Sequence, residues 1–372
     1  MKIFFLNGIP VYNASAWDPR RRFLFGEHVV HLSDHVPEGA KKTIDIGPLW
    51  DNGSAPLGFR SAAPDLVARV QRVVANDADS VLIIGDHSLA LPFLRSTVPF
   101  VFDPIDSQTL FYRRRILGIA KQSPLKSINS LRLAFHYMRL ERKILSKTAC
   151  FLTTGFADEK FLKALVPGAN VCRIGNGTEL IHQPPVEAAD DGQTIGFHGN
   201  MTWEPNVKTA EHVAGPIATA LARLPGPPLR IRIAGRPVPP ALQARDGRDG
   251  VEVCGFVDDI QTWLASLTLY VMPMYLGAGI KNKLIEAMAA GIPVLTNARG
   301  AEALPPEGRE AIAIAGDDAD IARAARALLA QPDTLARMRR AGRAYALRHF
   351  DWADHRRAFH AELHRLRDAG IV

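Results

Sequence analysis

The chain has 372 residues, 47% of them hydrophobic and 22% charged, with a formal net charge of +7. That composition excludes a chain disordered throughout, and at roughly 100–200 residues per domain the length suggests two domains. No apolar run approaches the ~18 residues that a spanning helix needs, and the opening run of residues 3–6 is too short for a signal-peptide core, so a cytoplasmic chain is predicted.

In chain order, short apolar runs predict strands at 2–6, 42–46, 80–85, 99–102, 150–153 and 171–174, with helical patterns over 63–74, 128–145 and 158–165 between them. The second half repeats the layout. Strands are predicted at 194–197, 229–234, 251–254, 267–272, 293–295 and 311–314, with helices over 207–221, 260–267, 281–290 and 321–329. Strands alternating with helices imply parallel sheets covered on both faces. The strongest break is residues 182–192, HQPPVEAADDG, polar and holding two prolines. It divides the chain into predicted domains 1–182 and 193–345. Residues 335–366 carry a long helical pattern interrupted near 349–353, and residues 346–372 are expected to return to the first domain as a bracing helix. The three cysteines, Cys150, Cys172 and Cys254, lack metal-ligand spacing and fall in predicted strands, as buried free thiols do in a reducing compartment.

The segment richest in chemistry is 267–304, LTLYVMPMYLGAGIKNKLIEAMAAGIPVLTNARGAEAL. A buried strand runs into the turn Gly277-Ala278-Gly279, and a helix starting near Lys281 stops at Gly291, before Pro293. Glycines let backbone approach a ligand, and a helix N-terminus presents N–H groups to phosphate. Lys281 and Lys283 add positive charge there, and Glu286, one turn on, is placed to accept from ribose hydroxyls. A tight turn that only needs glycine is the plainer alternative. A dinucleotide fingerprint would require Gly or Ala where Asn282 stands and an acid where Asn297 follows the next strand, and no phosphate-binding P-loop is present. A dehydrogenase is therefore disfavoured.

The stretch from Gly277 to Thr296 resembles the donor-site signature of retaining GT-B glycosyltransferases of the family 4 type, in a subgroup of bacterial exopolysaccharide sugar transferases. IGNGTEL (174–180), FHGNMTWEPNVKTA (197–210) and GFVDDIQTWLASLTLYVMP (255–273) agree with it in order. The resemblance implies an α/β protein of GT-B fold, with two Rossmann-like doubly wound domains facing each other across a cleft. The first would bind the acceptor and the second a nucleotide diphosphate sugar. It implies hexosyl-type transfer to an acceptor hydroxyl with retention, in surface polysaccharide or glycoconjugate synthesis, with no cofactor beyond the donor and no essential metal. Glu286 matches the second glutamate of the family's E-x7-E motif, which holds the ribose. Ala278 stands at the first, leaving backbone N–H groups of Ala278, Gly279 and Ile280 to meet the donor. The family's usual Arg and Lys after the first donor-domain strand fall near Asn200 and Asn206, so Arg236 and Lys281 would neutralise the diphosphate. A solvated loop position is the alternative for Arg236. The acceptor implied is a saccharide, a lipid-linked saccharide or a small molecule.

In the first domain Gly8 follows the first strand, where glycine lets the loop approach donor and acceptor. Asp103 and Asp106 end a buried strand and His87 ends another, so all three are catalytic candidates. Helix capping by Asp106 or Ser107 and packing of His87 are the competing readings. Asp77-Ala-Asp79 and Asp318-Ala-Asp320 have the spacing of metal-dependent transferases, but both fall in turns beside helices and read as caps and solvated charges. Between Arg113 and Lys147 lie ten Lys/Arg and a single acid, Glu141. That segment fits either a solvated helix face or an anionic membrane surface, with Phe111, Tyr112, Ile116, Leu117 and Ile119 as apolar contacts. No nucleic-acid module is visible. A nucleotide-binding pseudoenzyme on the same fold, motivated by Ala278, Asn200 and Asn206, and a sugar-nucleotide epimerase are the alternatives to a transferase.

Overall fold

The computed structural model describes residues 1–7, 20–25, 29–33, 43–51, 61–119, 124–184, 192–277 and 279–372. They form two compact units, one of Met1–Asn176 with Trp352–Val372 and the other of Gly177–Asp351. The division falls at Gly177, ahead of the polar stretch 182–192, because Leu180 and Ile181 are buried in the second unit's core.

The first unit is built on a parallel sheet of seven strands: β1 (Lys2–Leu6), β2 (Val29–Ser33), β3 (Thr43–Asp45), β4 (Ser80–Ile84), β5 (Val101–Phe102), β6 (Cys150–Thr153) and β7 (Val171–Arg173), in the order β3-β2-β1-β4-β5-β6-β7. Phe4 of β1 sits opposite Val30 on one side and Leu82 on the other. The strands are near-continuous apolar runs because both faces of the sheet are covered. One face packs Leu66, Val70, Leu140 and Leu162 from its helices. The other packs Trp352, Phe359, Leu363 and Leu366 of helix Trp352–Asp368 against Ile3, Phe5 and Val81. Each such fully buried side chain contributes roughly 1.5–3 kcal/mol.

β2 is absent from the sequence expectations. Its run VVHLS is short and interrupted by His31, and only pairing with β1 and β3 makes it a strand. The strand expected at 99–102 narrows to Val101–Phe102, since Pro99 has no N–H to give a ladder.

The second unit holds β8 (Thr194–His198), β9 (Arg230–Ala234), β10 (Val251–Gly255), β11 (Leu269–Met272), β12 (Val294–Asn297) and β13 (Ala313–Ala315), all parallel, in the order β10-β9-β8-β11-β12-β13. Renumbered from its own first strand this is 3-2-1-4-5-6, the doubly wound order, and the first six strands of the other unit follow it too. The helix expected over 207–221 is three pieces: Glu204–His212, a π-helical stretch Val213–Ile217 and Ala218–Arg223. Pro216 removes an N–H and crowds the preceding turn, which widens the helix there. Helix Asn282–Ala290 ends on Gly291 at φ +78°, the left-handed cap that glycine adopts without a Cβ clash. Among the described residues no helix is long and apolar enough to cross a membrane.

Candidate functional site

The strand order of the second sheet reverses between β8 and β11. Open α/β sheets place ligands at the carboxyl ends of the strands beside such a point. There the chain leaves β8 through Gly199-Asn200 and β9 through Gly235-Arg236, and helix Asn282–Ala290 begins after β11. A cavity of about 730 Å³ lies among them, lined by His198, Gly199, Asn200, Thr202, Ala234, Gly235, Arg236, Pro237, Phe256, Val257, Ile260, Asn282, Lys283 and Glu286.

Two glycines let these elements converge. Gly235 holds φ +144°, and a Cβ there would stand 1.9 Å from the carbonyl oxygen of Gly199. A Cβ on Gly199 would fall 2.8 Å from Cε of Lys283 and 2.9 Å from Cγ of Asn206. The strand ends and the helix are therefore in contact only because neither position carries a side chain.

The cavity wall is electrically divided. Lys283 and Arg236 bring positive charge, the N-cap residue Lys281 makes no side-chain capping bond to helix Asn282–Ala290, and no acid stands in its first turn. The positive end of its dipole thus meets the cavity at Asn282 and Lys283. Burial pushes the Lys283 ammonium's pKa down, and the carboxylate of Glu286 partly opposes that. One turn further, Oε2 of Glu286 lies 3.0 Å from Nε2 of His198, whose Nδ1 lies 3.1 Å from the Tyr270 hydroxyl. Burial tends to raise the Glu286 pKa, but the hydrogen bond from His198 and the charge of Lys283 outweigh it, so the carboxyl sits below its usual range. At the far side the Arg236 guanidinium lies 4.0 Å over the ring of Phe256. Two cations, a helix terminus and a carboxylate around one cavity suit a ligand with an anionic group and hydroxyls.

Of the donor residues expected from sequence, the fold brings Asn200, Arg236, Asn282, Lys283 and Glu286 to this cavity. Lys281 is turned back, its buried Nζ donating to the Gly279 carbonyl at 2.9 Å. Gly277 (φ +104°), Gly279 (φ +66°) and Ile280 form the turn before the helix, with Ile280 packed on the core rather than lining the cavity. Asn200 closes its own turn, Oδ1 accepting from the N–H and hydroxyl of Thr202, while Nδ2 of Asn206 donates to the Asn200 carbonyl. Gly8 and Ala278 lie outside the described residues. His198, Gly199, Gly235 and Phe256 were not singled out from sequence. The available signal was their place at strand ends: His-Gly after β8, Gly before Arg236 after β9, and Phe256 just past β10.

The first unit's catalytic candidates, Asp103, Asp106 and His87, each have an internal partner. Arg20 and Asp103 are both fully buried and bidentate, Nε to Oδ2 at 3.1 Å and Nη2 to Oδ1 at 3.2 Å. Arg20 also donates to the Ile174 carbonyl and to Oδ1 of Asn176. Burial raises the Asp103 pKa and Arg20 opposes the shift. Asp106 accepts from the Thr154 hydroxyl at 2.8 Å. Between the two aspartates Ile105 holds φ +72°, a strained value for a β-branched residue. His87 sits 3.4 Å from Glu141 and edge-on to Phe102 and Tyr137. Glu141 is itself buried, accepting from the Ser107 hydroxyl and the Gln108 N–H, and so caps helix Gln108–Ile119 from a neighbouring helix. Ser107 Oγ adds a cap by accepting from the N–H of Leu110.

The two Asp-x-Asp spacings are absorbed locally. Asp79 pairs with Arg367 and Asp77 with Lys2. Asp320 completes a capping box with Asp317, while Asp318 binds His212 Nδ1 at 2.7 Å and the Tyr275 hydroxyl. Among the described residues no three His, Cys, Asp or Glu side chains converge as metal ligands would.

Comparison with known proteins adds to this geometry. Residues 192–331 match a family model described as Glycosyl transferases group 1. Curated protein sequences yield no match. Among solved structures, sucrose-phosphate synthase from Thermosynechococcus elongatus superposes with a TM-score of 0.70 at 16% identity, covering 99% of this chain and 100% of that one. Anabaena HepE in complex with UDP gives 0.68 at 15% identity, covering 98% and 100%. WaaG, a glycosyltransferase involved in lipopolysaccharide biosynthesis, gives 0.61 at 17% identity, covering 92% and 95%. At such identities the likeness is one of fold. By sequence over residues 192–331, and by two doubly wound units of the GT-B fold over nearly its whole length, the chain is similar to glycosyltransferases.

Proposed function

We propose that the protein is a glycosyltransferase that binds a nucleoside diphosphate sugar in the second unit's cavity and passes the sugar, with retention, to an acceptor hydroxyl. The reading rests on the cavity itself, where a helix N-terminus, Lys283, Arg236 and Glu286 meet at the switch point of a doubly wound sheet. The diphosphate would lie against the N-terminus at Asn282, with Lys283 and Arg236 balancing its charge. Lys281 takes a supporting part, bracing the glycine turn through the Gly279 carbonyl. Glu286 accepts from a ribose hydroxyl. As the sugar–phosphate bond breaks, negative charge grows on the departing diphosphate. Donors already aimed there stabilise that charge without reorganising, which is usually a large catalytic contribution. The leaving phosphate oxygen can itself take the acceptor proton. No bond-making role is assigned to Asp103, Asp106 or His87, each of which has an internal hydrogen-bond partner. Anabaena HepE binds UDP-glucose, so uridine diphosphate sugars are the first donors to test.

The test is a thermal-shift series with UDP, GDP, ADP and their glucose conjugates. A ligand at about 100 times its Kd raises stability by about 2.7 kcal/mol. One nucleotide family is expected to shift wild type and to lose about 1.5–3 kcal/mol of binding in Glu286→Ala, the worth of a charge-assisted hydrogen bond. An equal shift in wild type and variant would remove Glu286 from the site. Turnover of the shifting sugar nucleotide separates a transferase from a pseudoenzyme, and product formed with no acceptor present would mark an epimerase.

We also propose an acceptor at an anionic membrane surface, in keeping with a role in surface polysaccharide synthesis. Phe111 and Tyr112 are half-buried, with Tyr112 stacked on Tyr137, and the side chains of Leu117 and Ile119 lie outside the described set. Helix Pro124–Leu145 instead exposes Leu125, Ile128, Leu131 and Phe135 at helical spacing. Exposed Lys126, Arg132, Arg139, Arg142 and Lys143 share the helix, while Glu141, its one acid, is buried. Vesicles rich in anionic lipid are expected to capture the protein at low salt, at about 1 kcal/mol per basic residue near the surface. Leu131→Glu with Phe135→Glu should abolish capture without altering nucleotide shifts. Equal binding to neutral vesicles would rule the surface out.

A further inference from the structure

We propose that Tyr270 and His198 position Glu286 for the ribose hydroxyl, through a chain of hydrogen bonds from the core strand β11 to the cavity wall. The proposal rests on the reading of Glu286 as the ribose acceptor.

The direction of each bond follows from the donor inventory. An ionised carboxylate only accepts, so Nε2 of His198, 3.0 Å from Glu286 Oε2, carries the hydrogen. A neutral imidazole then has a bare Nδ1, which must accept. Its partner at 3.1 Å is the Tyr270 hydroxyl, a group with one proton to give. The same oxygen is also 3.5 Å from the His198 backbone N–H, a donor, so the phenol accepts from the main chain and donates to the ring. The chain therefore runs one way, from Tyr270 O–H to His198 Nδ1 and from His198 Nε2–H to Glu286 Oε2. Among the described residues no protein donor is assigned to Oε1, the oxygen left for a ligand.

Packing makes the arrangement rigid. Tyr270 is fully buried in the middle of β11, and His198 ends β8 with Trp263 of helix Ile260–Ala265 edge-on at 5.7 Å. The ring is thus held between two neighbouring strands, β8 and β11, which pair through Gly196 and Tyr270. The charged groups facing it are Glu286 and Lys283 from helix Asn282–Ala290, and Arg236 shares the cavity wall. Burial lowers the His198 pKa against the opposing pull of Glu286, and burial raises that of Tyr270, so both stay neutral at neutral pH. A positioned carboxylate spends no freedom in finding its ligand hydroxyl, and the supporting partners of such groups are as specific as the groups themselves.

The test is the preference for a ribose over a dideoxyribose ligand, measured by calorimetry with UDP against 2′,3′-dideoxy-UDP, and with the corresponding GDP and ADP pairs. Wild type is expected to prefer the ribose form by about 10-fold or more. His198→Ala should lose that preference as Glu286→Ala does, while both keep wild-type affinity for the dideoxy ligand. His198→Gln, which retains a donor near the Nε2 position, should restore part of it. Tyr270→Phe frees Nδ1 to take a proton, and the imidazolium still donates through Nε2 and holds Glu286 ionised further into acid, so the acid limb of the preference should move to lower pH. A purely structural role for Tyr270 would lower stability and leave that limb in place. If wild type prefers the ribose form, Glu286→Ala abolishes the preference and His198→Ala retains it in full, the relay is wrong and the Glu286 reading stands. If wild type shows no preference, or no pair binds, the Glu286 reading fails and the relay with it.

Discussion

Asp103→Ala is expected to destabilise the first unit by about 3–5 kcal/mol, the cost of leaving a buried charge without its partner. Asp103 and Arg20 are both fully buried, and the aspartate accepts two of the guanidinium's hydrogen bonds. Arg20 also ties Ile174 and Asn176 to the carboxyl end of β5. Removing the carboxylate leaves the buried guanidinium with neutral acceptors only and no countercharge. For a unit of this size the melting temperature should fall by roughly 10 °C. Hydrogen exchange of the β1, β4 and β5 amides would locate the loss in the first unit. Replacing both partners with apolar residues, Arg20→Met with Asp103→Leu, should recover much of it, because a buried ion pair is worth little more than a well-packed apolar pair. The contrary result is equally clear. Were Asp103→Asn to keep wild-type stability and lose turnover, Asp103 would be a catalytic group after all.

The second large effect belongs to Gly235. Alanine there puts a Cβ 1.9 Å from the Gly199 carbonyl oxygen, at a φ of +144° that L residues rarely adopt. Backbone strain costs about 1–3 kcal/mol and overpacking a similar amount, so a loss of about 2–5 kcal/mol in the second unit is expected. The Gly235 N–H also donates to the Gly255 carbonyl at 2.6 Å, so relief by moving this segment would disturb the link to β10 as well. If Gly199 yields instead, the wall from His198 to Asn200 moves and nucleotide binding goes with it. Gly215→Ala is the control, since a Cβ there meets nothing within 4 Å. Gly235→Ala with wild-type melting and unchanged nucleotide shifts would refute the close-approach argument.

Much of this was legible because parallel strands covered on both faces leave apolar runs, and twelve such runs marked twelve of the thirteen strands among the described residues. The exception, β2, carries His31 within a short run, and nothing local distinguishes it from a loop. The glycine turn, Lys283 and Glu286 were readable because helix spacing places positions 283 and 286 one turn apart beside an N-terminus. The roles of Lys281 and Lys283 were not separable by sequence, as both carry the same charge at the same junction. Backbone geometry turns one back onto Gly279 and the other into the cavity. Asp103 read as a strand-end acid facing a ligand because its partner, Arg20, is 83 residues away in sequence.

What the sequence determined by itself was therefore what arises within one run of chain: the alternation of strand and helix, the doubly wound class, and a helix starting just after the glycine turn. The tertiary structure decided the pairings that cross the chain. Tyr270 meets His198 and His198 meets Glu286 over separations of 72 and 88 residues, and Gly235 meets Gly199 across a strand and helix of intervening chain. Local propensity carries no information about such contacts. They follow from the order in which the strands assemble, and that order is set by burying both faces of a sheet rather than by any single residue.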